Sequence, residues 1–310
     1  MTKNKILDIF SGCGGLSLGM KDSGFKVSHA IDFDRDSLVT YKNNFKGSKI
    51  INLDLFNTQK SNALFNKLRN KIDLIVAGPP CQGFSLTGPR KFNDKRNTLY
   101  LSVLNSIDII KPKAFVIENV PGIINLYDGK IKDQVLSRLK KSKYKVSYKI
   151  LNSADYGVPQ IRKRAFFVGV SDNYDSFTFP KPKFDPSNYI SSKMALSDLD
   201  LLQNQIECEN YMTTPTNDYQ KKMRQKSSKS YNHKKTKHTQ EVIDVISQVP
   251  PGGNYKDLPE NVGTTRKFNE AWTRYHPDKP SKTIDTGHRN HFHYYENRVP
   301  TVRENARLQS

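Results

Sequence analysis

Short apolar runs alternate with amphipathic stretches through the first half of the chain. The runs have the length of buried strands and lie at Lys5–Phe10, Lys26–Ile31, Lys49–Leu53, Ile72–Ala77 and Ala114–Ile117. The stretches between them have helical patterns, at Ser37–Phe45, Lys60–Arg69, Thr98–Ile110 and Lys130–Leu139. This alternation predicts an α/β fold with a doubly wound, mostly parallel sheet. Two further strands, Lys145–Leu151 and Ala165–Val170, are expected to form an antiparallel edge.

The pattern changes after Val170. Periodicity is weak from residue 171 to residue 291, where Pro, Ser, Thr, Asn and Lys dominate. Between Asp218 and Glu241 there is no acid but eight Lys or Arg residues, which indicates either a solvated loop or a surface that follows phosphates. A capping box at Thr301-Val302-Arg303-Glu304 predicts a helix that starts there. We therefore expect a catalytic domain at 1–171, a smaller irregular region at 172–291 and a segment at 292–310 that returns to the catalytic domain.

Charge and cysteine content narrow the class of protein. The formal net charge is +20, from 50 basic and 30 acidic residues, which favours a nucleic-acid partner, although a coding bias toward Lys and Asn would also produce it. The three cysteines have no short paired spacing, so neither a zinc site nor a disulfide framework is expected. A reduced, cytoplasmic setting fits this usage. With no signal peptide and no long apolar run, the sequence predicts a soluble protein away from membranes.

A cysteine follows the fourth predicted strand. The segment Gly78-Pro79-Pro80-Cys81-Gln82-Gly83-Phe84-Ser85 comes directly after the apolar run Leu74–Ala77. Two prolines fix the backbone and remove donors, so the strand must end there. Cys81 then lies on a turn at the tip of a strand, a position typical of a nucleophile. The alternative is a half-buried thiol that acts as a small apolar side chain.

The first two strands end in residues that suit an adenosine ligand. Asp8-Ile9-Phe10-Ser11-Gly12-Cys13-Gly14-Gly15 forms a glycine-rich strand-to-helix turn, which lets the backbone approach a ligand. Ser17 stands where a dinucleotide fingerprint requires glycine. Asp32 lies 20 residues after Gly12, where an acid can bind ribose hydroxyls. An adenosine ligand without a pyrophosphate, such as S-adenosylmethionine, fits both facts, and a structural turn beside a surface acid is the alternative.

Two more charged motifs end or begin strands. Glu118-Asn119-Val120 closes the fifth strand, so Asp32, Cys81 and Glu118 are all expected at the carboxyl edge of the sheet. A carboxyl buried there can act as an acid near neutral pH, whereas an isolated Glu at this position is more often a cap. Alternation in Gln160-Ile161-Arg162-Lys163-Arg164 puts Arg162 and Arg164 on one face, which suits phosphate or carboxylate recognition but also an ordinary edge-strand charge pair.

Taken in order, these motifs resemble the DNA cytosine-5 methyltransferases of bacterial restriction-modification systems. The resemblance covers both ends of the chain. Its last element is Arg303-Glu304-Asn305-Ala306-Arg307-Leu308-Gln309. It implies that S-adenosylmethionine is the methyl donor and that double-stranded DNA is the substrate. The target cytosine must leave the duplex to be reached.

The resemblance also implies residue roles. The Cys81 thiolate would add to carbon 6 of cytosine, Glu118 would hold and protonate N3, and Arg162 and Arg164 would position the pyrimidine or its phosphates. The segment Gln82–Asn97 would close on the flipped base. The implied cofactor residues are Phe10, Ser11, Gly12, Gly14, Gly15, Asp32, Phe33, Asp54, Leu55, Pro80 and Leu99. The implied DNA contacts are Ser85, Thr87, Arg96 and Thr283, with target recognition in the segment from 171 to about 291.

The chain departs from the family pattern at its end. Members continue past Arg-Leu-Gln with Phe-Pro and a Gly-Asn motif that completes the cofactor pocket, whereas this sequence stops at Ser310. We expect a monomer, or a second chain that supplies the missing motif, and weak cofactor binding if nothing does. Two other functions stay open on the sequence, a tRNA cytosine-5 methyltransferase and a DNA-binding protein with little activity. Pro-Pro-Cys-Gln and the long basic region favour DNA over tRNA.

Overall fold

The structure is a computed structural model that describes residues 4–80, 99–125, 129–199, 202, 205–225, 227–260, 262, 271–285 and 290–310. It contains two compact units. The first comprises Met1–Leu151 and Lys163–Pro180, and the second comprises Asn152–Arg162 and Lys181–Ser310. This division differs from the predicted one, because residues 152–162 and residues 292–310 both belong to the second unit. Among the described residues, no helix combines the length and the apolar character needed to cross a membrane.

A seven-stranded sheet forms the centre of the first unit, in the order β3-β2-β1-β4-β5-β7-β6. The strands are β1 (Lys5–Ile9), β2 (Lys26–Asp32), β3 (Lys49–Asn52), β4 (Leu74–Ala77), β5 (Ala114–Asn119), β6 (Tyr144–Asn152) and β7 (Lys163–Ser171). The first five pair in parallel, and β7 pairs antiparallel to β5. The predicted mostly parallel sheet with an antiparallel strand near its edge is confirmed.

Helices cross between the strands. They are α1 (Gly15–Asp22), α2 (Arg35–Asn44), α3 (Thr58–Leu68), α4 (Leu99–Ile110), α5 (Gly122–Asn125) and α6 (Lys130–Lys141). Side chains of Asp34 and Asn57 accept from the first-turn amides of α2 and α3, which explains why these helices begin there. The sequence pattern predicted α2, α3, α4 and α6 to within a few residues. For α1 it predicted only a strand-to-helix turn, without bounds for the helix, because the first turn of α1 lies in the glycine-rich segment.

Both faces of the sheet are buried, because alternate residues of each strand point to opposite sides. On one face Leu7, Ile9 and Ile75 join a large cluster with residues of α3, α4 and α6. On the other face Ile6, Leu74 and Val76 pack against Leu16 and Met20 of α1. The central strands are therefore mostly apolar, as is typical of parallel strands covered on both sides, with the buried Asp8 of β1 as an exception.

The second unit has little regular structure. Its helices are α7 (Ser192–Leu196), α8 (Asp218–Arg224), α9 (Gln240–Gln248) and α10 (Val302–Arg307), and its two short strands are β8 (Thr273–Arg274) and β9 (His291–Phe292). The predicted capping box is present at α10, where Thr301 Oγ1 accepts from the Glu304 amide at 3.1 Å and Glu304 Oε2 accepts from the Thr301 amide at 2.7 Å. This irregularity agrees with the weak periodicity of the sequence.

Buried ion pairs accompany two apolar clusters in the second unit. Arg298 donates to both carboxylate oxygens of Glu304 at 2.7 Å and also pairs with Glu296. Asp198 accepts from Arg224 and from Arg307. Burying such charges is tolerated because every carboxylate named has a guanidinium partner. His293 lies beside Glu296 and Glu304 in an arrangement of metal-ligand type, but both carboxylates already bind Arg298.

A glycine in β7 makes room for an aromatic ring in β5. Gly169 pairs with Phe115, and a Cβ at residue 169 would lie 2.1 Å from the buried Phe115 ring. We therefore predict that Gly169→Ala lowers the free energy of unfolding by about 3 kcal/mol, measured by urea denaturation.

The matched control is Gly19→Ala on α1, where a Cβ would meet nothing within 4 Å. That variant should instead gain up to about 1 kcal/mol from helix propensity. Adding Phe115→Leu to Gly169→Ala should recover part of the loss. Equal stabilities for the two alanine variants would contradict this packing argument.

Candidate functional site

The glycine-rich segment forms a tight loop where the strand order reverses. It follows β1 and leads into α1, and β1 has β2 on one side and β4 on the other. In open α/β sheets ligands bind at this switch point, outside the carboxyl ends of the strands. Phe10 adopts a left-handed backbone (φ 61°), which is rare for an aromatic residue. No side chain caps the first turn of α1, whose N-cap is Gly14.

Asp32 fixes the shape of this loop. Its Oδ2 accepts from the Gly12 amide at 2.8 Å and its Oδ1 accepts from the Asp34 amide at 2.9 Å. The Ser11 amide donates to the carbonyl of Ile31 at 3.1 Å, so the loop is tied to the end of β2 twice. Each carboxylate oxygen has a second lone pair available to another donor. The sequence predicted a role for Asp32 toward ribose hydroxyls, and the structure adds its hydrogen bond to the glycine-rich loop.

A buried polar network supports the loop from below. Ser17 Oγ donates to Asp8 Oδ2 at 2.6 Å and lies 2.6 Å from the Tyr41 hydroxyl. Burial raises the pKa of Asp8 to about 7, with Ser17 opposing the shift and Asp32 adding to it. Gly14 passes directly over this network. A Cβ there would lie 2.4 Å from the Phe45 ring, at a left-handed φ of 98°, so only glycine fits.

Several residues predicted to bind adenosine follow the ends of β2 and β3 in the sequence. Phe33 follows β2 and its ring is 70% exposed, an unusual state for an aromatic side chain. The Asn52 side chain holds it in place by donating to the Phe33 carbonyl at 2.7 Å. Leu55 and Leu99 are buried in the same apolar cluster. Asp54, which directly precedes Leu55, is exposed. Phe33 thus provides an exposed ring, Leu55 and Leu99 provide apolar side chains, and Asp54 provides a carboxylate.

An ion pair lies at the carboxyl end of β5. Arg164 Nε is 3.0 Å from Glu118 Oε1, and both side chains are about three quarters buried, with 20% and 27% exposed. Gly78 follows β4 and comes so close that a Cβ on it would be 3.6 Å from Glu118 Oε2. Asn119 donates to the Pro79 carbonyl at 3.3 Å. The segment that leads to Cys81 therefore runs beside the carboxylate of Glu118.

The predicted site residues are divided between the two units. Arg162 and Thr283 belong to the second unit, where Thr283 Oγ1 donates to the Ile161 carbonyl at 2.8 Å. The Arg162 amide donates to Asn152 in the same unit. Cys81, Ser85, Thr87, Arg96 and the segment Gln82–Asn97 lie outside the described residues. Pro80 is the last described residue before them.

The sequence analysis did not identify the residues whose hydrogen bonds support the glycine-rich loop. Asp8, Ser17 and Tyr41 form the buried network, and Asn52 holds the backbone of Phe33. The signal for Asp8 was present, because an acid inside an otherwise apolar strand needs a buried partner. Ser17 and Tyr41 gave no such signal, since their meeting depends on how α1 and α2 pack.

The raised pKa of Asp8 predicts how stability depends on pH. The folded protein holds this proton up to about pH 7, whereas the unfolded chain releases it near the ordinary value of 3.8. The stabilisation is therefore complete below about pH 4 and is lost as the pH rises through 7. Relative to Asp8→Asn, the wild type should lose up to about 4 kcal/mol of unfolding free energy between pH 4 and pH 8.

Urea denaturation across this pH range measures the difference. The control is Asp22→Asn, an exposed acid at the end of α1, whose curve should stay parallel to that of the wild type. A constant gap between wild type and Asp8→Asn at all pH values would refute the assignment of the proton to Asp8.

Comparison with known proteins agrees with this geometry. The family model of C-5 cytosine-specific DNA methylases matches residues 4–310. The chain is 33% identical to Type II methyltransferase M1.HphI of Haemophilus parahaemolyticus, over 98% of this chain and 76% of that protein. It is 34% identical to M.DdeI of Desulfomicrobium norvegicum, over 98% and 78%. A crystal structure from E. coli, of a prophage-encoded protein described as a candidate DNA modification methyltransferase, matches with a TM-score of 0.77 and 27% identity, over 99% of this chain and 88% of that chain. The chain therefore belongs to the C-5 cytosine-specific DNA methylases, enzymes that transfer a methyl group to cytosine in DNA.

Proposed function

We infer that this methyltransferase acts at the carboxyl edge of the sheet through Cys81, Glu118 and Arg164. The observation that carries the proposal is the position of Gly78 against Glu118, with Arg164 paired to the same carboxylate. Cys81, which lies outside the described residues, is three residues beyond Gly78 in the sequence and is assigned to the same edge of the sheet. A nucleophile and an acid thus share one edge with the glycine-rich loop.

The reaction requires a nucleophile because carbon 5 of cytosine is itself unreactive. The Cys81 thiolate adds to carbon 6 and forms a carbon–sulfur bond, and the electron pair of the 5,6 double bond becomes available at carbon 5. Carbon 5 takes the methyl group, its proton then leaves to a base, and the returning electron pair expels the thiolate. The Cys81 thiol is thereby restored and cytosine carries the new methyl group.

Glu118 is assigned to N3 of the cytosine. Addition of sulfur at carbon 6 increases electron density at N3, so a carboxyl that donates a hydrogen bond or proton there stabilises the adduct. Arg164 holds the carboxylate in place through its Nε at 3.0 Å. Arg162 is assigned to the pyrimidine or its phosphates, together with Arg164. Glu118 and Arg164 thus determine how the base is oriented toward the nucleophile.

The proposed methyl donor is S-adenosylmethionine, which when bound supplies a methyl group on a positively charged sulfur. The loop fits this ligand in several respects. Phe33 offers an exposed ring for adenine, with Phe10 and Pro80 assigned to the same base, and Asp54 is assigned to its amino group. Asp32 has lone pairs free for ribose hydroxyls, and the uncapped first turn of α1 suits a carboxylate. Ser11, Gly12, Gly14, Gly15, Leu55 and Leu99 complete the proposed pocket.

The proposed substrate is a specific sequence in duplex DNA, from which the cytosine is extruded. The second unit is proposed to recognise that sequence, with Thr283 contacting the DNA. Ser85, Thr87 and Arg96 are assigned to DNA on the family resemblance. Action as a monomer and a cytoplasmic location stay predictions.

Covalent trapping tests the nucleophile. Duplex DNA in which 5-fluorocytosine replaces the target cytosine cannot lose a proton from carbon 5, so the adduct should persist and survive denaturing electrophoresis. Cys81→Ser should abolish both the adduct and methyl transfer from tritiated donor. Cys208→Ser, a change at a cysteine of the second unit, should retain both. An adduct that survives in Cys81→Ser would exclude Cys81 as the nucleophile.

Cofactor affinity tests Asp32. Asp32→Ala removes the acceptor of the Gly12 and Asp34 amides and the proposed ribose partner, so affinity for S-adenosylmethionine should fall at least tenfold, or about 1.4 kcal/mol. Isothermal titration calorimetry measures this change. Asp36→Asn, at an exposed acid in the first turn of α2, is the control. Equal affinity of Asp32→Ala and wild type would remove Asp32 from the cofactor site.

A further inference from the structure

The second unit contains a cavity of about 270 Å³ at the end of α9. It lies between the turn at Pro251-Gly252, strand β8 and the segment that follows β8. Its basic and imidazole side chains are Arg274, His276, Lys279 and Lys282, and no acidic residue lines it among the described residues. The volume is just below the range of small-molecule pockets, ~300–1,000 Å³. The cavity is therefore small, and the charged side chains that line it are all basic.

Arg274 lines this cavity and is a buried cation without an acidic partner among the described residues. Only 5% of the residue is exposed. All its hydrogen bonds go to neutral oxygens, namely the carbonyls of Val249, Ile246 and His293 and the side-chain amide of Asn297. Buried charges in proteins are normally paired with a charge of opposite sign. Every other buried arginine of this unit, Arg298 and Arg307, has a carboxylate partner. Arg274 is thus the exception among the described residues, and the cavity beside it attracts anions.

The turn next to Arg274 brings backbone close to the ring of His276. Pro250–Gly253 is a type II turn, closed by a hydrogen bond from the Gly253 amide to the Pro250 carbonyl at 2.9 Å, with Gly252 at φ 81°. A Cβ at residue 252 would lie 3.2 Å from His276 Cδ2. His276 Nδ1 accepts from the Asp278 amide at 3.1 Å. In the neutral ring the proton is therefore on Nε2, which leaves His276 with an N–H donor.

Two exposed lysines, Lys279 and Lys282, complete the lining of the cavity. Backbone hydrogen bonds hold the segment that carries them. The Lys279 carbonyl accepts from the Ser192 amide at 2.9 Å, and the Ser281 amide donates to the Pro159 carbonyl at 3.0 Å. Ser281 is buried, so its neighbour Lys282 points to the opposite side of this extended segment. Among the described residues Lys279 forms no ion pair. Asp278 is next to it in sequence but does not line the cavity.

We propose that the cavity formed by Gly252, Arg274, His276, Lys279 and Lys282 binds a backbone phosphate of the DNA substrate. A phosphodiester group supplies the negative charge that Arg274 lacks and accepts from Lys279, Lys282 and His276. Thr283, the residue assigned to DNA, is the immediate neighbour of Lys282 on the same fixed segment. The proposal depends on the function proposed above, in that it assumes a DNA substrate. In this proposal the cavity positions the protein along the DNA backbone and does not read the base sequence.

The salt dependence of DNA binding tests this site in the full chain. Each phosphate contact contributes about 0.9 to the slope of log K against log salt concentration. Fluorescence anisotropy with a short duplex should give a slope smaller by about that amount for Lys279→Ala and for Lys282→Ala. Lys67→Ala, the same charge change on an exposed face of α3, should leave the slope unchanged. Lys279→Arg and Lys282→Arg should restore the wild-type slope.

A second measurement separates this site from the function on which it depends. Dimethyl phosphate, an isolated phosphodiester, should shift the His276 ring resonance in the wild type but not in the Lys279→Ala/Lys282→Ala variant. If the wild type fails to methylate DNA but this shift occurs, the proposed function is overturned and the anion site stands.

Slopes equal to that of Lys67→Ala, in variants that still bind and methylate DNA, would overturn the phosphate site alone. If the slopes are unchanged while inorganic phosphate shifts the resonance, the cavity takes a free anion and the assignment to DNA is wrong. The absence of any shift with dimethyl phosphate would likewise refute the site.

Discussion

The parallel register of three central strands determines where the chemistry of this enzyme can occur. Ala77 of β4 lies opposite Ile9 of β1 on one side and opposite Ile117 of β5 on the other. β1 and β4 end at this level, and β5 continues beside β7 for two more residues, Glu118 and Asn119. The glycine-rich loop, the segment that leads to Cys81 and the side chain of Glu118 are therefore neighbours, although more than 100 residues separate the first from the last. No contact between these groups is needed to bring them together, because backbone hydrogen bonds of the sheet do so.

Charge is compensated in different ways in different parts of the protein. Beside the glycine-rich loop, Asp8 is buried without a cationic partner among the described residues and keeps its proton to about pH 7, so the loop is supported by a neutral hydrogen-bond network. At the edge of the sheet, Glu118 is held by Arg164. In the second unit, Arg298 and Arg307 are neutralised by carboxylates, whereas Arg274 binds only neutral oxygens. Arg274, the buried cation without an acid, is among the residues that line the cavity of the second unit, which is consistent with an anionic ligand there.

Much of the first unit was predictable, because local pattern and tertiary environment agree there. A strand such as Leu74–Ala77 is apolar throughout since both faces are covered, and α2 and α3 begin at side chains that cap them. Prediction was less complete where the local signal is ambiguous. Gly15–Asp22 is helical although it begins with a glycine and follows Gly12 and Gly14, because Leu16 and Met20 pack against an apolar face of the sheet. The pairing of Gln160 with Ser281, which joins residues 152–162 to the second unit, has no signal in the sequence.

The sequence by itself determined the order of strands and helices, the family and the identity of the residues expected to react. Those properties are encoded in residue type and spacing, which can be recognised without coordinates. Only the tertiary structure decided that Asp32 holds the Gly12 amide, that Glu118 pairs with Arg164 and that Arg274 has no acid. Each of these depends on the approach of side chains that are distant in sequence, with geometry set to a few tenths of an ångström. Ion pairs and hydrogen bonds form only when the atoms are within a few ångströms of each other in space. Composition and spacing along the chain cannot specify such distances.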